Sequence, residues 1–268
     1  MIKVIAIKPW GLRIAALTAA AVLMFLAART VTLAVITPTA SQEWGLSFTE
    51  PGTPPIPPIS AADLLQYRGY YIGDTAKKTI YLTFDAGYEA GYSHGILDTL
   101  AQKGVTATFF LVGHMLSSQP ELVRRMVADG HIVGNHTMTH PTGRKLDDAT
   151  AFAGELTGFE DLFTSVVGAV PVKLYRPPGG ALRQANLTHA REAEYATIFW
   201  SLAYADWDRD NQPDPAASLN LLMRRLHPGA VVLLHSTSAT SAALLGDLID
   251  AARAQGYTFG TLLELTAG

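Results

Sequence analysis

The stretch Ile80-Tyr81-Leu82-Thr83-Phe84 runs straight into Asp85, and four other apolar runs in the chain end in the same way. Ile132-Val133-Gly134-Asn135 delivers His136, with His140 four residues on, and Leu174-Tyr175 delivers Arg176. Ile198-Phe199-Trp200 leads to Asp206, and Val231-Val232-Leu233-Leu234 delivers His235. Short apolar runs between helical patterns read as buried strands of an α/β protein. In such folds the carboxyl ends of the strands share one face, where chemistry is assembled. One Asp or His at a strand end carries little information. Five ionisable residues at the same relative position point to a single site.

Outward from these runs, strand and helix patterns alternate. Strands are predicted over 79–84, 106–112, 132–135, 174–176, 197–200, 231–234 and 257–260. Helices are predicted over 93–102, 120–129, 147–166, 184–194, 216–226 and 241–255, the long third one capped by Asp147. About seven βα units imply a mostly parallel sheet with helices packed outside. A closed or nearly closed barrel and an open doubly wound sheet both fit this alternation. The spread of candidate site residues over five strands favours the barrel, because an open sheet would gather them at one switch point. No Gly-x-Gly-x-x-Gly or phosphate-loop pattern comes after a strand, which argues against a nucleotide enzyme.

The chain has 268 residues, a formal net charge of −3 and no cysteine. The charge leaves no electrostatic footprint for nucleic acid. The lack of thiols removes disulfides, thiolate zinc sites and cysteine nucleophiles, and suits an oxidising exterior. Lys3, Lys8 and Arg13 precede an apolar stretch over 14–28, which Arg29 interrupts and 31–36 continues. Residues 1–40 are therefore expected to be a signal peptide or a membrane anchor, with the C-terminal remainder of the chain translocated. Cleavage near Thr39-Ala40 and an uncleaved anchor both remain open, and both place the protein outside the cytoplasm. Pro51, Pro54, Pro55, Pro57 and Pro58 mark 41–60 as an extended linker. The folded domain is expected over 61–268, as a monomer, with Trp10 and Trp44 outside it.

His136 and His140 form H-x-x-x-H, a spacing that on a helical turn lets two imidazoles grip one ion. Histidines without thiolates suit a divalent ion in a catalytic site: Zn²⁺ first, with Co²⁺ or Mn²⁺ as alternatives. Asp85 reads either as a turn or cap residue or as a general base that takes a proton from an attacking water. Arg176, at a buried strand end, needs an anionic partner, and Asp85 is the candidate. Behind it, Pro177-Pro178-Gly179-Gly180 offers bare backbone amides, those of Gly179 and Gly180, to an oxyanion. His235 alone reads as a satisfied structural residue. Beside Asp206 it reads as an imidazolium held ready to act as an acid. Two pairs whose environments push their protonation apart mark a base and an acid.

These segments resemble the polysaccharide deacetylase family (the NodB-homology domain, carbohydrate esterase family 4). The resemblance rests on Thr83-Phe84-Asp85, His136-x-x-x-His140, Arg176-Pro-Pro-Gly, Asp206-Trp207 and Leu233-Leu-His235, in that order, over roughly residue 78 to the C-terminus. Within the family the chain is most similar to the delta-lactam-biosynthetic de-N-acetylases of spore-forming bacteria. That likeness is carried by Thr83-Phe84-Asp85-Ala86-Gly87-Tyr88-Glu89, Gly134-Asn135-His136, Trp200-Ser201-Leu202-Ala203 and His227-Pro228-Gly229. The resemblance implies a distorted (β/α)7 barrel and metal-dependent removal of N-acetyl groups from amino sugars of cell-wall glycan. Peptidoglycan N-acetylmuramic acid in a sporulation context is the first expectation, chitooligosaccharide the near alternative. A glycan-binding pseudoenzyme and a metal-free hydrolase are the rivals.

Two departures from the family pattern bear on this. Most members carry Asp-Asp-Gly where this chain has Asp85-Ala86-Gly87, and the second Asp is a metal ligand; Ala86 offers none, so weaker metal binding is expected. Glu89 is the one nearby side chain that could reach in. Gly179 stands where many members have an aromatic residue, which opens that side of the groove. Tyr88 and Trp207 are expected to line the sugar site, an aromatic face suiting a pyranose ring. His114 is a candidate substrate contact, whereas His94, His131, His189 and His227 read as solvated or structural.

Overall fold

The computed structural model describes residues 42–267, so the expected signal or anchor segment lies outside the described residues. The chain enters as β1 (Gln42–Glu43), α1 (Ala61–Leu65) and β2 (Gly69–Tyr70). It continues through β3 (Thr79–Ala86), α2 (Ser93–Lys103), β4 (Thr108–Leu111), α3 (Gly113–Ser118), α4 (Pro120–Ala128), β5 (Ile132–Asn135) and α5 (Ala149–Val167). Then come β6 (Leu174–Tyr175), β7 (Ala181–Leu182), α6 (Gln184–Glu192), β8 (Ala196–Ile198), α7 (Pro215–Arg225), β9 (Val231–His235), α8 (Ala239–Ala254), β10 (Thr258–Phe259) and α9 (Leu262–Thr266). Among the described residues no helix is long and apolar enough to cross a membrane.

β3 is the central strand. It pairs in parallel with β4 on one side and with β9 on the other, while β10 joins its first residues. From β4 the ladder continues in parallel through β5, β6, β8 and β2. An isolated parallel bridge from Leu202 to Val232 brings the chain after β8 back to β9, so the sheet curls upon itself. This curled parallel α/β arrangement agrees with the (β/α)7 expectation.

The strand period of two separates the layers. Along β3, Ile80, Leu82, Phe84 and Ala86 pack outward with helix residues such as Ile96, Leu97 and Leu248. The intervening Tyr81 packs inward with Phe110, Ile132, Ile198 and Val231. Asp85 therefore lies on the inner face, at the carboxyl end of the strand. Register does the same for β9, where His235 stands opposite Asp85.

Three sequence expectations need correction. The N-cap of α5 is Asp148, whose side chain accepts from the Ala151 amide; Asp147 sits one residue earlier and is paired with Arg183 instead. The 41–60 stretch does not stand off as a spacer. Trp44 is 6 % exposed, stacks on Phe199 at 4.3 Å between ring centroids and donates its indole N–H to the Trp200 carbonyl at 2.9 Å. The prolines exclude helix, as expected, but do not prevent an extended strap from packing: β1 pairs antiparallel with β7, Ser47 bridges Ile56, and the Gly52 amide donates to the Arg224 carbonyl. Finally, 136–140 forms a loop rather than a helical turn, with Thr137 at φ 71° and His140 at φ 53°.

Candidate active site

Arg176 comes directly after β6 and is fully buried. Its guanidinium lies over the Phe110 ring, and its Nη1 donates to Asp85 Oδ1 at 2.7 Å. The Ile198 carbonyl accepts from Nε at 3.2 Å. A planar, permanently charged group held by stacking and by carbonyls gives Asp85 a fixed counter-charge. Burial opposes ionisation of Asp85, but Arg176, helped by His136 and His235, outweighs it and holds the carboxyl below its ordinary range. The pairing expected from sequence is present.

Asp85 Oδ2 faces the other way and lies 3.5 Å from His136 Nε2. His136 Nδ1 is 2.8 Å from the Arg176 carbonyl, an oxygen that can only accept, so Nδ1 carries the proton and Nε2 presents a lone pair. Burial pushes the His136 pKa down to about 4, so the imidazole is neutral near pH 7. His140 is also lowered, chiefly by burial, and its ring lies 4.9 Å from that of His136. The fully buried Asn135 shapes this loop. Its side-chain carbonyl accepts from the Thr137 amide at 2.8 Å, and its side-chain amide donates to the Leu156 carbonyl and reaches the Tyr195 hydroxyl. The Thr137 hydroxyl then accepts from the His140 amide at 2.9 Å.

The second pair lies across the sheet. His235 Nδ1 donates to Asp206 Oδ1 at 2.7 Å, and Asp206 Oδ2 accepts from the His235 amide at 2.8 Å and from the Ser241 hydroxyl at 2.6 Å. Burial alone would lower the His235 pKa, but the hydrogen bond and charge of Asp206, with Asp85 further off, raise it. Near neutral pH this favours the imidazolium. Asp85, His136, His140 and His235 line one cavity of about 710 Å³. Trp207, 65 % exposed, and Gly179 line it too, while Tyr88 borders a smaller recess opening on the same four residues.

Two neutral imidazoles, one locked in the tautomer that presents Nε2 beside a carboxylate, fit a divalent cation. Ala86 is fully buried in the apolar layer and supplies no ligand. Glu89 does not substitute for it: its Oε1 accepts from the amides of Gly91 and Ser93 at the start of α2. Among the described residues no group of three or more His, Cys, Asp or Glu side chains is arranged to hold an ion.

The structure does not bring every expected residue to the cleft. His114 is exposed on α3 and lines neither of these cavities. The Gly180 amide cannot serve an oxyanion because it donates to the Pro177 carbonyl at 3.0 Å. His131, His189 and His227 are structural as expected, each with a ring nitrogen paired to nearby backbone or hydroxyl, and His94 is exposed beside Arg125. Sequence reasoning missed Asn135 and Ser241 as positioning residues, and it missed the strap residues Leu46 and Phe48, which line the cavity. Asn135 immediately precedes His136, and that adjacency is a usable signal; Ser241 and the strap carry no local one.

Residues 72–198 match the model of a family described as polysaccharide deacetylase. The peptidoglycan-N-acetylmuramic acid deacetylase PdaA of Bacillus subtilis is 37 % identical over 83 % of this chain and 84 % of its own. Its solved structure, a family 4 carbohydrate esterase, superposes with a TM-score of 0.80 over 85 % of this chain and 98 % of that one, at 36 % identity. A chitooligosaccharide deacetylase from Bradyrhizobium is 34 % identical over 75 % of this chain and 97 % of the relative. A CE4-family pseudoenzyme from Bacillus anthracis is also similar, with a TM-score of 0.68 and 30 % identity over 74 % of this chain and 68 % of that one.

Proposed function

The chain belongs to the polysaccharide deacetylase family, and we propose that it removes N-acetyl groups from amino sugars of cell-wall glycan, with peptidoglycan N-acetylmuramic acid as the substrate. The observation that carries this reading is the meeting of two oppositely tuned pairs, Asp85–Arg176 and His235–Asp206, around one cleft that also holds two neutral imidazoles.

Asp85, kept ionised by Arg176, takes a proton from the water that attacks the acetamide carbonyl carbon. The tetrahedral intermediate collapses as the C–N bond breaks, and His235 gives its proton to the departing amine. Acetate and the free amino sugar result. Asp206 holds His235 charged and correctly turned, and Ser241 holds Asp206. A divalent cation held by His136 and His140, Zn²⁺ by preference, supplies Lewis-acid polarisation of the carbonyl when bound. Trp207 and Tyr88 offer apolar faces to pyranose rings, and Gly179, with no side chain, leaves room at its place in the lining. The curled sheet is read as the family's distorted (β/α)7 barrel over 61–268, with 1–40 as an export signal or membrane anchor that places the enzyme outside the cytoplasm. A role in muramic delta-lactam formation during sporulation belongs to the same reading.

A second reading, a glycan-binding pseudoenzyme, is favoured by Ala86 and by the likeness to a solved pseudoenzyme. Retention of both pairs opposes it, since a pure binder has no use for a matched base and acid. Acetate release from peptidoglycan, measured after chelation and after adding Zn²⁺ or Co²⁺, separates the two. We expect release that chelator suppresses and metal restores, and a loss of about 10²-fold or more in His136→Ala. Inactivity indifferent to metal supports the binder, and full activity in chelator supports a metal-free hydrolase.

A further inference from the structure

The cavity lined by Asp85 and His235 is also lined by Arg225, a cation that has no carboxylate partner among the described residues. Arg176 is satisfied by Asp85 and His235 by Asp206. Arg225, at the C-terminal end of α7, is half-buried. Burial pushes its pKa down and Arg224 adds to the effect, while no carboxylate raises it. Glu43 lines the same cavity, yet among the described residues neither it nor any other carboxylate pairs with this guanidinium. A partly desolvated charge kept without a partner is costly unless a ligand supplies one.

The surroundings orient this charge. Its guanidinium carbon sits 4.2 Å from the centroid of Phe48, a residue of the strap that packs beneath the end of α7. The strap is pinned beside it by the Gly52 amide on the Arg224 carbonyl. Phe48 thus covers the guanidinium on one side, and among the described residues its N–H groups form no hydrogen bond, so they are available to a carboxylate, which an arginine can meet with paired hydrogen bonds. Much of the remaining wall, Leu46, Trp200, Trp207 and Leu233, is apolar or aromatic and suits neutral sugar faces.

We propose that Arg225, seated on Phe48, is a specificity-determining residue that reads a carboxylate on the glycan. This rests on the deacetylase reading for the identity of the ligand as an acidic amino-sugar chain, not for the presence of an anion site. The carboxylate has two chemical sources, the lactyl ether of muramic acid and the stem peptide attached to it. Both offer the same bidentate partner.

The test is equilibrium binding by calorimetry to the full chain and to Arg225→Gln and Arg225→Lys. The three ligands are a neutral N-acetylglucosamine disaccharide, a peptide-free disaccharide containing N-acetylmuramic acid, and its peptide-bearing form. In the parent protein the carboxylated ligands should bind roughly tenfold more tightly than the neutral one, and added salt should shrink the difference. In Arg225→Gln the ratio should collapse towards one, and Arg225→Lys should keep part of it. Preference for the peptide-free acid identifies the lactyl group; preference for the peptide-bearing form alone identifies the stem. No preference in the parent, or a ratio unchanged in Arg225→Gln, overturns the proposal. Should Arg225→Gln fail to fold, as judged by thermal melting, Phe48→Leu must reduce the ratio several-fold, and an unchanged ratio there is equally fatal. Acetate release by the parent is measured beside this. Its absence with the binding preference intact counts against the deacetylase reading alone, and release without any preference counts against Arg225 alone.

Discussion

Arg176 is 0 % exposed, so its charge is tolerable only because Asp85 meets it inside the sheet. Removing one member of a buried pair strands the other. Arg176→Ala should therefore cost about 3–5 kcal/mol of stability, read from urea unfolding, in addition to its effect on catalysis. Asp85→Asn keeps the shape but leaves the buried Arg176 without its counter-charge, so it too should cost stability, in addition to a large loss of rate. The protonation of His235 gives a second expectation at this scale. Its raised pKa means that it is charged below that value and loses its proton as pH rises through it. The alkaline limb of the kcat/KM profile should track that loss, because the neutral imidazole has no proton to donate. Asp206→Asn removes the principal raising interaction, so the limb should move to lower pH. A limb that stays in place would assign it to another group. Both pairs are legible in sequence because an ionisable residue after a buried apolar run must find a partner among its few equivalents. Ser241 is not legible as a helper, since a Ser in a helix has many ordinary uses, and Asn135 is signalled only by standing next to His136.

At the scale of elements, the strap over 43–59 changes how the cleft is built. Pro-rich sequence forbids helix and central strand, but it does not decide between free linker and packed strap. Trp44 decides it here, by filling a site between Tyr71 and Phe199. Trp44→Ala should destabilise the domain by about 3–5 kcal/mol, measured as a fall in the urea midpoint. An unchanged midpoint would mean that the strap is dispensable. The H-x-x-x-H pair teaches a related lesson. The histidines do meet, but through left-handed residues fixed by Asn135 and the Thr137 hydroxyl rather than on a helix. Spacing tells which residues come together and not how. The cap of α5 lies one residue away from its expected place, because Asp147 and Asp148 are equally good cap residues and Arg183 claims the first.

For the whole molecule, parallel pairing puts the carboxyl ends of the eight strands of the main sheet on one side, and the curl brings residues far apart in sequence to one mouth. Asp85 and His235 stand opposite each other in register although 150 positions separate them (235 − 85). That convergence is foreseeable from alternation and from equivalent strand ends. The outer limits of the cleft are not, because the strap and Arg225 reach it only through tertiary packing. A base and an acid acting on one bond are expected to fail together. Acetate release from peptidoglycan by the parent, Asp85→Asn, His235→Gln and the double variant, each confirmed as folded, measures this. Each single variant should lose about 10²–10⁴-fold in kcat/KM, and the double variant should fall much less than the product of the two losses. A single variant with parental activity, or two losses that simply multiply, would contradict a shared catalytic unit at this mouth.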